Sequence, residues 1–385
     1  MVAASLLLIL SLIGSALLYW AAWLIRRRAA AVDPHGTHMP TVSLLKPLHG
    51  AEPRLADNLA TALAQNYPGR IEMVCGVARN DDPAIATVES LRADFPAANL
   101  RLIVDPRRWG ANAKVSNLIN LMAAANHDVL VFADSDIVVS PDYITRLVGL
   151  LDQSGTGAVT CLYVGRGDAG FWSRLVAAGI DTHFVPATMI ALATGLGRPC
   201  MGSTIALHRN TLAEIGGFGR FADTLADDYA FGEAVRATGR KVVVAAMVLT
   251  HACADTTFSR VVRQELRWNA TILGIDPAGY AGSIILHPLP LALIAWVAGG
   301  GMVAAGASLL AIAARASVAL ATDHLDAPGR PAGYHFVAIL LIPLRDLLSF
   351  AMFIMAFVTR SVDWRGADIK LEPEGRISVP EDMGQ

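Results

Sequence analysis

Val129-Leu-Val-Phe-Ala-Asp-Ser-Asp136 is a run of apolar residues that stops at two carboxylates separated by one serine. A short apolar run that ends in turn-forming residues is typical of a strand buried on both faces of a sheet. Ligands of open α/β sheets bind outside the carboxyl ends of such strands. We therefore expect Asp134 and Asp136 to converge on a hard divalent cation that neutralises a diphosphate leaving group. The alternative is helix capping, in which Asp136 and Ser140 precede a helix that begins at Pro141.

Strand-like and helix-like segments alternate on the N-terminal side of this stretch. The strand-like segments are 41–48, 71–78 and 100–104, and the helix-like segments are 53–66, 113–126 and the stretch from Pro83 to about Phe95. This alternation predicts an α/β fold with a parallel, Rossmann-like sheet that binds a nucleotide. Asp81 and Asp82 also follow a predicted strand, so we expect them at the same edge of the sheet as Asp134 and Asp136.

Two further motifs lie downstream. Asp227-Asp228 precedes a helical stretch at 229–238, where a carboxylate either takes a proton from an acceptor hydroxyl or simply stabilises the helix start. Gln264, Arg267 and Trp268 have the i, i+3, i+4 spacing that places residues on one helix face. Arg267 could pair with a diphosphate and Trp268 could wall an acceptor pocket. The same segment also fits an amphipathic helix at a membrane interface, and the two interpretations are compatible.

The composition of the whole chain indicates a membrane protein. Of its 385 residues, 54% are hydrophobic and only 17% are charged, and the mean hydropathy is +0.46. A soluble domain usually has about 25% charged residues. The net charge of −2 argues against nucleic-acid binding, which needs a basic face.

The N-terminal apolar run, Val2 to Ile25, contains no Asp, Glu, Lys or Arg and is long enough to cross a bilayer. Arg26-Arg27-Arg28 follows at once, which predicts that this end faces the cytoplasm. A cleaved signal peptide would instead carry its positive charges before the apolar run.

A second apolar zone extends from Pro277 to Ala314 and is too long for one crossing. Gly299-Gly300-Gly301 offers a break, so we expect spans near 281–298 and 302–320. A last span from Phe336 to Val358 contains Arg345-Asp346, a costly pair unless both side chains face protein, water or lipid headgroups.

These zones divide the chain into an N-terminal transmembrane helix (1–28), a cytoplasmic domain (40–275), a transmembrane region (281–358) and a tail (359–385). Three C-terminal spans, favoured by length, would place the tail outside the cell, whereas two would place it inside, as Arg360 and Arg365 favour. The four cysteines of the domain match no zinc-binding spacing, and in the reducing cytoplasm we expect free thiols.

The motifs together resemble a known family. Asp82, Asp134-x-Asp136, Asp228 and Gln264-x-x-Arg267-Trp268 resemble the D, DxD, D, (Q/R)xxRW series of membrane-bound family 2 glycosyltransferases with a GT-A fold. The ceramide glucosyltransferase-like branch, family 21, has motifs similar to Lys46-Pro-Leu-His-Gly50, Asp81-Asp-Pro-Ala-Ile85, Asn112-Ala-Lys-Val-Ser-Asn117 and Cys200-Met-Gly-Ser203. Bacterial hopanoid-associated glycosyltransferases have motifs that resemble Asp134-Ser-Asp-Ile137, Thr160-Cys-Leu-Tyr163, Ala226-Asp-Asp-Tyr229 and Glu265-Leu-Arg-Trp268.

The resemblance implies an inverting hexosyltransferase in the bacterial inner membrane, multi-pass, with its catalytic domain in the cytoplasm. It implies a UDP-sugar donor, a lipid acceptor and a divalent metal, Mg²⁺ or Mn²⁺. The hopanoid branch predicts transfer of N-acetylglucosamine to bacteriohopanetetrol in hopanoid biosynthesis, and the alternative is transfer of glucose to ceramide. A processive polysaccharide synthase shares the motif series but needs more spans. Two further rivals are a transporter or receptor with a nucleotide-sensing domain and an inactive scaffold.

The resemblance also implies roles for single residues. On the donor side, Asp82 would contact the uridine, with Lys46, Pro47 and Glu52 near the nucleotide and Lys114 near the diphosphate. Asp134 and Asp136 would face the ribose and the metal-bridged diphosphate. Asp228 would be the general base, and Gln264, Arg267 and Trp268 would line the diphosphate and acceptor side. His183 matches a histidine of the ceramide branch. The Asp227-Asp228 pair and the second acid, Asp136, depart from the ceramide enzymes and resemble the hopanoid branch.

Overall fold

The computed structural model describes residues 2–36, 38–331, 333–359, 361–364, 367–371 and 377–378. At its centre lies a mixed sheet of eight strands in the described part of the chain. In chain order they are β1 (Val42–Pro47), β2 (Ile71–Val77), β3 (Asn99–Val104), β4 (Val129–Ala133), β5 (Ile137–Val138), β6 (Thr156–Gly167), β7 (Thr204–His208) and β8 (Lys241–Cys253). Hydrogen bonds order them β3-β2-β1-β4-β7-β6-β8-β5.

The prediction of a parallel sheet is correct for one half of this sheet and wrong for the other. Strands β3, β2, β1 and β4 all pair in parallel, as the alternation of strands and helices predicted. Strand β7, however, runs antiparallel to both β4 and β6, and β5 runs antiparallel to β8. The local pattern missed this because β4 and β7 are joined by a long connection rather than by a single crossover helix.

Helices cover both faces of the sheet and extend beyond one end of it. In chain order they are α1 (Val2–Ala29), α2 (Leu55–Leu63), α3 (Ala84–Asp94), α4 (Ala113–Met122), α5 (Tyr143–Leu151), α6 (Phe171–Gly179), α7 (Val185–Thr194), α8 (Arg209–Glu214), α9 (Asp227–Ala237), α10 (Phe258–Ile275), α11 (Pro277–Gly282), α12 (Pro288–Ala295), α13 (Gly301–Thr322) and α14 (Tyr334–Ala356). The π-helical turn Ile180–Phe184 joins α6 to α7. The helices predicted from Pro83 to about Phe95, at 113–126 and at 229–238 are thus confirmed.

Alternate residues of the central strands build two separate cores. Leu44 of β1 and Val131 of β4 pack on one face of the sheet, and Leu45 and Leu130 pack on the other. All four side chains are fully buried, and burying each contributes about 2 kcal/mol relative to exposure. Because both faces are covered, β1 and β4 are continuous apolar runs, and the polar residues begin where these strands end.

Four helical stretches of the described residues are long and apolar enough to cross a membrane: Val2–Ala29, Phe171–Thr194, Pro288–Thr322 and Tyr334–Ala356. The second was not predicted from the sequence, and 67% of its most apolar window is buried inside the protein. These apolar helices support the prediction of a membrane protein.

The glycine break in the third stretch is confirmed. Gly299 has φ 91° and Gly301 has φ 54°, a backbone region that favours glycine. Across this turn Arg315 Nη2 donates to the carbonyl oxygen of Leu286 over 2.7 Å, so α12 and α13 form an antiparallel hairpin. The arm from residue 288 to 300 rises only about 20 Å, less than the roughly 30 Å of a bilayer core. This arm is irregular at its start: α12 begins at Pro288 after a break at His287.

The chain after α14 returns to the side of the molecule where α10 lies. Strand β9 (Ser361–Trp364) packs against α10 and forms a small antiparallel sheet with β10 (Ala367–Leu371) and β11 (Ile377–Ser378). Arg360 and Arg365, on which one prediction for the tail rested, lie outside the described residues. The contact between β9 and α10 favours a tail on the same side as the catalytic domain, rather than the opposite side that three full crossings would give.

Candidate active site

Two lysines and the first acid of the Asp-x-Asp motif meet at the carboxyl end of β4. Lys114, in the first turn of α4, lies 2.6 Å from Asp134 Oδ1 and also donates to the carbonyl oxygen of Gly202 over 3.1 Å. Lys46, from β1, donates to the backbone carbonyl oxygen of Asp134 over 2.8 Å. The structure therefore brings together three residues that were predicted to contact the nucleotide diphosphate.

The surroundings give the two lysines different acidities. Lys46 is 1% exposed, and its burial lowers its pKa to about 8, although Asp134 and Asp136 oppose the shift. Burial also acts on Lys114, but the negative charges of Asp134 and Asp227 outweigh it and raise its pKa above the usual value. Lys114 thus stays a permanent cation among carboxylates, which suits a group that binds a diphosphate.

Asp228, the predicted general base, lies in the first turn of α9 and is held by backbone amides. Its Oδ2 accepts from Gly202 N and its Oδ1 from Tyr229 N, each over 2.8 Å. A Cβ at Gly202 would lie 3.0 Å from Asp228 Oδ2, so glycine permits this close approach. Burial raises the pKa of Asp228, and the charge of Asp134 adds to that effect. A raised pKa makes a carboxylate a better proton acceptor near neutral pH.

The second acid of the motif pairs with a histidine that the sequence analysis missed. His251 Nε2, near the end of β8, lies 3.2 Å from Asp136 Oδ2. Asp136 raises the pKa of His251 well above its usual value, and His251 lowers the pKa of Asp136 although burial opposes that shift. A polar residue in an otherwise apolar strand was the available signal. Nothing local, however, indicated that β8 ends beside β5 and the Asp-x-Asp motif.

The residues fit a divalent cation that is shared with the donor diphosphate. Asp136 Oδ1 is buried and has no hydrogen-bond partner in the described structure, so it is an available ligand atom. Among the described residues no group of three or more His, Cys, Asp or Glu side chains could hold a metal alone. Mg²⁺ sites often use one or two protein groups and complete their shell with phosphate and water. Because Asp134 is paired with Lys114, Oδ1 of Asp136 is the better-placed donor.

A cleft of about 200 Å³ opens beside Asp136. Glu52 lines it from the loop after β1, where its Oε2 accepts from Ser135 Oγ over 2.6 Å. Gln264 lines it from α10, together with Arg260, which the sequence analysis did not single out. The cleft therefore lies between the nucleotide-binding edge of the sheet and the helix that carries the Gln-x-x-Arg-Trp motif.

The protein's family follows from comparison with known proteins. The family model described as Glycosyl transferase family 21 matches residues 6–377. The chain belongs to glycosyl transferase family 21. Ceramide glucosyltransferase 1 of Caenorhabditis elegans is 26% identical over 239 residues, 62% of this chain and 50% of that protein. The ceramide glucosyltransferase of Komagataella phaffii is 29% identical over 133 residues, 34% of this chain and 25% of that protein. The chain thus spans half or less of the length of these curated relatives.

A solved structure confirms the fold of this family 21 glycosyltransferase. Mannosyltransferase PcManGT from Pyrobaculum calidifontis, in complex with GDP-Man and Mn²⁺, superposes with a TM-score of 0.52 at 20% identity. The match covers 91% of this chain and 98% of that one. The prediction of a GT-A fold is therefore confirmed, and the family model supports the prediction of a transferase.

Asp82 and Pro47, which were predicted to lie on the donor side, are both buried near the ends of β1 and β2. Asp82 is 7% exposed and accepts from Gly50 N over 3.0 Å and from Ala84 N over 2.9 Å. It thus fixes the loop after β1 and caps the start of α3. Pro47 is buried at the end of β1 beside Gly76.

Three other predicted residues lie away from the cleft lining. Trp268 packs against the apolar cluster shared by α6, α10 and α14, and neither Trp268 nor Arg267 lines the cleft. His183 lies 3.0 Å from Asp346 Oδ1 of α14. Its neighbour Phe184 stacks on Tyr163 at 4.6 Å, and Tyr163 in turn lies 5.5 Å from His251. The π-helical turn therefore borders the site through Phe184 rather than through His183.

Proposed function

We propose that this family 21 glycosyltransferase moves a hexose from a UDP-sugar to a lipid hydroxyl by a single displacement with inversion. The observation that carries this proposal is the position of the cleft. One wall is the acidic and basic edge of the sheet, and the other is α10, which packs directly on the apolar helix α14. A nucleotide-sugar site is thus continuous with a surface that a lipid can reach.

On the donor side, positive charge gathers where the leaving group develops. Lys114 and Lys46 lie beside Asp134, and Arg260 lines the cleft from α10. These cations offset the charge that builds on UDP as the glycosidic bond breaks. A divalent cation held by Asp136 would supply further stabilisation of the diphosphate. Asp82 and Glu52 would hold the nucleotide at the far end.

On the acceptor side, Asp228 takes the proton from the attacking hydroxyl group. Backbone amides of Gly202 and Tyr229 fix both its oxygens, so its orientation does not depend on the substrate. Apolar helices next to α10 would keep the lipid tail in the bilayer while its hydroxyl enters the cleft. We also propose that the domain faces the cytoplasm of a bacterial inner membrane, as the arginine triplet after α1 predicts.

The similarity to ceramide glucosyltransferases favours UDP-glucose and a ceramide-type acceptor as the first pair to test. A second pair, UDP-N-acetylglucosamine and bacteriohopanetetrol, is favoured by the two acids of Asp134-x-Asp136 and by Asp227-Asp228, which depart from the ceramide enzymes. Our preference from the sequence for the hopanoid pair thus becomes the second candidate.

The experiment crosses both donors with both acceptors. Purified full-length protein in detergent is incubated with each of the four pairs, and mass spectrometry of the lipid fraction detects the added hexose. We expect one glycosylated lipid and a matching release of UDP. A water-soluble polymer without a glycolipid would indicate a polysaccharide synthase instead. The absence of both glycolipid and polymer with either donor would contradict the proposal.

A further inference from the structure

A two-point ion pair links the last apolar helix to the helix that lines the cleft. Arg345 of α14 donates through Nη1 and Nη2 to the two carboxylate oxygens of Glu265 on α10, and the Nη2–Oε2 distance is 2.7 Å. Arg345 is 5% exposed and Glu265 is 3% exposed. A parallel contact between a guanidinium and a carboxylate fixes orientation as well as distance, which a single hydrogen bond does not.

The surroundings of Arg345 are shaped around its guanidinium group. Gly179, at the end of α6, approaches so closely that a Cβ there would lie 2.5 Å from Arg345 Cζ. A larger residue at position 179 would displace the guanidinium from Glu265. The next residue of α14, Asp346, pairs with Arg315 of α13 and with His183. The helix that holds Arg345 is therefore itself fixed at the same level.

Glu265 lies between the functional residues of the Gln-x-x-Arg-Trp motif. Gln264 precedes it and lines the cleft, and Arg267 follows two residues later. The other buried residues of α10 are Val261 and Ala270, whose apolar contacts have no preferred direction. One residue corresponds to about 100° of helix rotation, so a modest turn of α10 about its axis would move Gln264 off the cleft.

We propose that Arg345 and Glu265 are positioning residues for the sugar transfer. Their ion pair sets the rotation of α10 and thereby keeps Gln264 in the lining of the cleft. Neither residue touches the substrate. This inference rests on the proposed function and adds to it a mechanical link between an apolar helix and the catalytic cleft.

Single substitutions remove the pair. In Arg345→Gln and Glu265→Gln we expect kcat to fall about 100-fold, the loss that a misplacement of about 1 Å can produce. The KM for the UDP-sugar should change little, because the nucleotide is held across the cleft by residues that follow β1, β2 and β4. A substitution that removes an interaction made only in the transition state lowers kcat and leaves KM unchanged. Steady-state kinetics on the purified full-length protein in detergent measure both constants.

The double variant Arg345→Gln/Glu265→Gln separates positioning from stability. Each single variant leaves one buried charge without its partner and should lower the Tm. The double variant removes both charges and should regain most of that loss. A positioning role predicts that kcat stays about 100-fold low although the Tm recovers. Recovery of kcat together with the Tm would show that the pair is purely structural and would overturn the inference.

Arg330→Gln is the matched control. Arg330 pairs with Asp181 in an equally buried ion pair that joins the α13–α14 loop to the π-helical turn and does not involve α10. We expect it to lower the Tm and leave kcat unchanged.

Hydrogen–deuterium exchange of the 258–275 peptide should accelerate in Arg345→Gln and not in Arg330→Gln. This readout is independent of activity. A wild-type protein that transfers no sugar overturns the proposed function, whereas unchanged exchange in Arg345→Gln overturns the positioning role.

Discussion

Two clusters of charged residues in this glycosyltransferase differ in how their charges are satisfied. The catalytic cluster consists of Lys46, Lys114, Asp134, Asp136, Asp228 and His251. The helix cluster consists of His183, Glu265, Arg315, Arg345 and Asp346. The catalytic cluster is open: the Asp134 side chain is 34% exposed, and Asp136 and His251 line the cleft. The helix cluster is closed, since the side chains of Arg315 and Asp346 are 1% and 0% exposed.

The helix cluster also supplies hydrogen bonds that the backbone lacks. Arg315 donates to the carbonyl oxygens of Thr182, inside the π-helical turn, and of Leu286, where α12 has not yet begun. Irregular backbone among apolar helices must find such partners inside the protein. The difference teaches that buried charge here has two uses. The protein supplies the counter-charges of the helix cluster by itself, whereas the catalytic cluster stays open to substrate at the cleft.

The largest expected effect is on the base. Asp228→Asn keeps the size of the side chain and removes its proton affinity, so we expect kcat for lipid glycosylation to fall by about 10²–10⁴-fold. Binding of UDP should be nearly unchanged, because Asp228 faces the acceptor. Product formation is followed by mass spectrometry, and UDP binding by calorimetry. If the catalytic cluster is open as described, the Tm of this variant should not fall.

The exposed Asp81→Asn is the control for that substitution. Its side chain is 60% exposed and pairs with Arg79 at the surface. It removes one carboxylate from the same edge of the sheet and should leave transfer unchanged. Full turnover by Asp228→Asn would remove Asp228 from the role of base.

The second effect is on stability. Asp346→Asn leaves Arg315 buried without its counter-charge, and breaking a buried pair in this way costs about 3–5 kcal/mol. We expect a large drop in Tm in detergent. A Tm equal to that of the wild type would contradict the view that the protein supplies the counter-charges of the helix cluster by itself.

A smaller effect concerns the metal. Asp136→Asn should weaken binding of Mn²⁺ in the presence of UDP by more than the roughly 10–100-fold typical of losing an outer-shell partner. Electron paramagnetic resonance of free Mn²⁺ measures the affinity. A larger loss of Mn²⁺ affinity in Asp134→Asn than in Asp136→Asn would move the metal to the other acid.

The parts of this molecule that could be predicted from sequence are those governed by local pattern. The strand before Asp134, the helix that begins near Asp228 and the break at Gly299 all follow from short stretches with a known geometry. The order of the motifs was enough to predict a GT-A glycosyltransferase. The costly pair Arg345-Asp346 was expected to face protein, water or lipid headgroups, and the structure buries both residues in protein.

The parts that could not be predicted depend on which distant segments meet. His251 joins the site because β8 pairs with β5, which is more than a hundred residues away in the chain. In the sequence, Glu265 is one of the two unspecified positions of the Gln-x-x-Arg-Trp motif. In the structure, however, it makes the contact with Arg345 of α14. The antiparallel half of the sheet and the burial of Phe171–Thr194 have the same cause, since neither leaves a periodic signal of its own.

The smallest predicted effect is a pH-dependent change in stability at the catalytic cluster. Asp227 is next to the base, and burial together with the charges of Asp228 and Asp134 raises its pKa although Lys114 opposes the shift. The folded state therefore holds a proton on Asp227 more tightly than the unfolded chain does. The stability from that protonation is complete below the unfolded pKa, about 3.9, and is lost as the pH rises through the higher folded value.

Asp227→Asn should consequently stabilise the protein at pH 7 by on the order of 1 kcal/mol, a gain typical of relieving a strained catalytic residue. An asparagine oxygen can still accept from Asn112 Nδ2, which now donates to Asp227 Oδ1 over 3.2 Å. At pH 4 the gain should nearly vanish, because the native carboxyl group is then protonated. Thermal unfolding at both pH values tests this. An equal gain at pH 4 would mean that charge is not the cause, whereas Asp346→Asn should destabilise the protein at pH 7 because its charge is already paired.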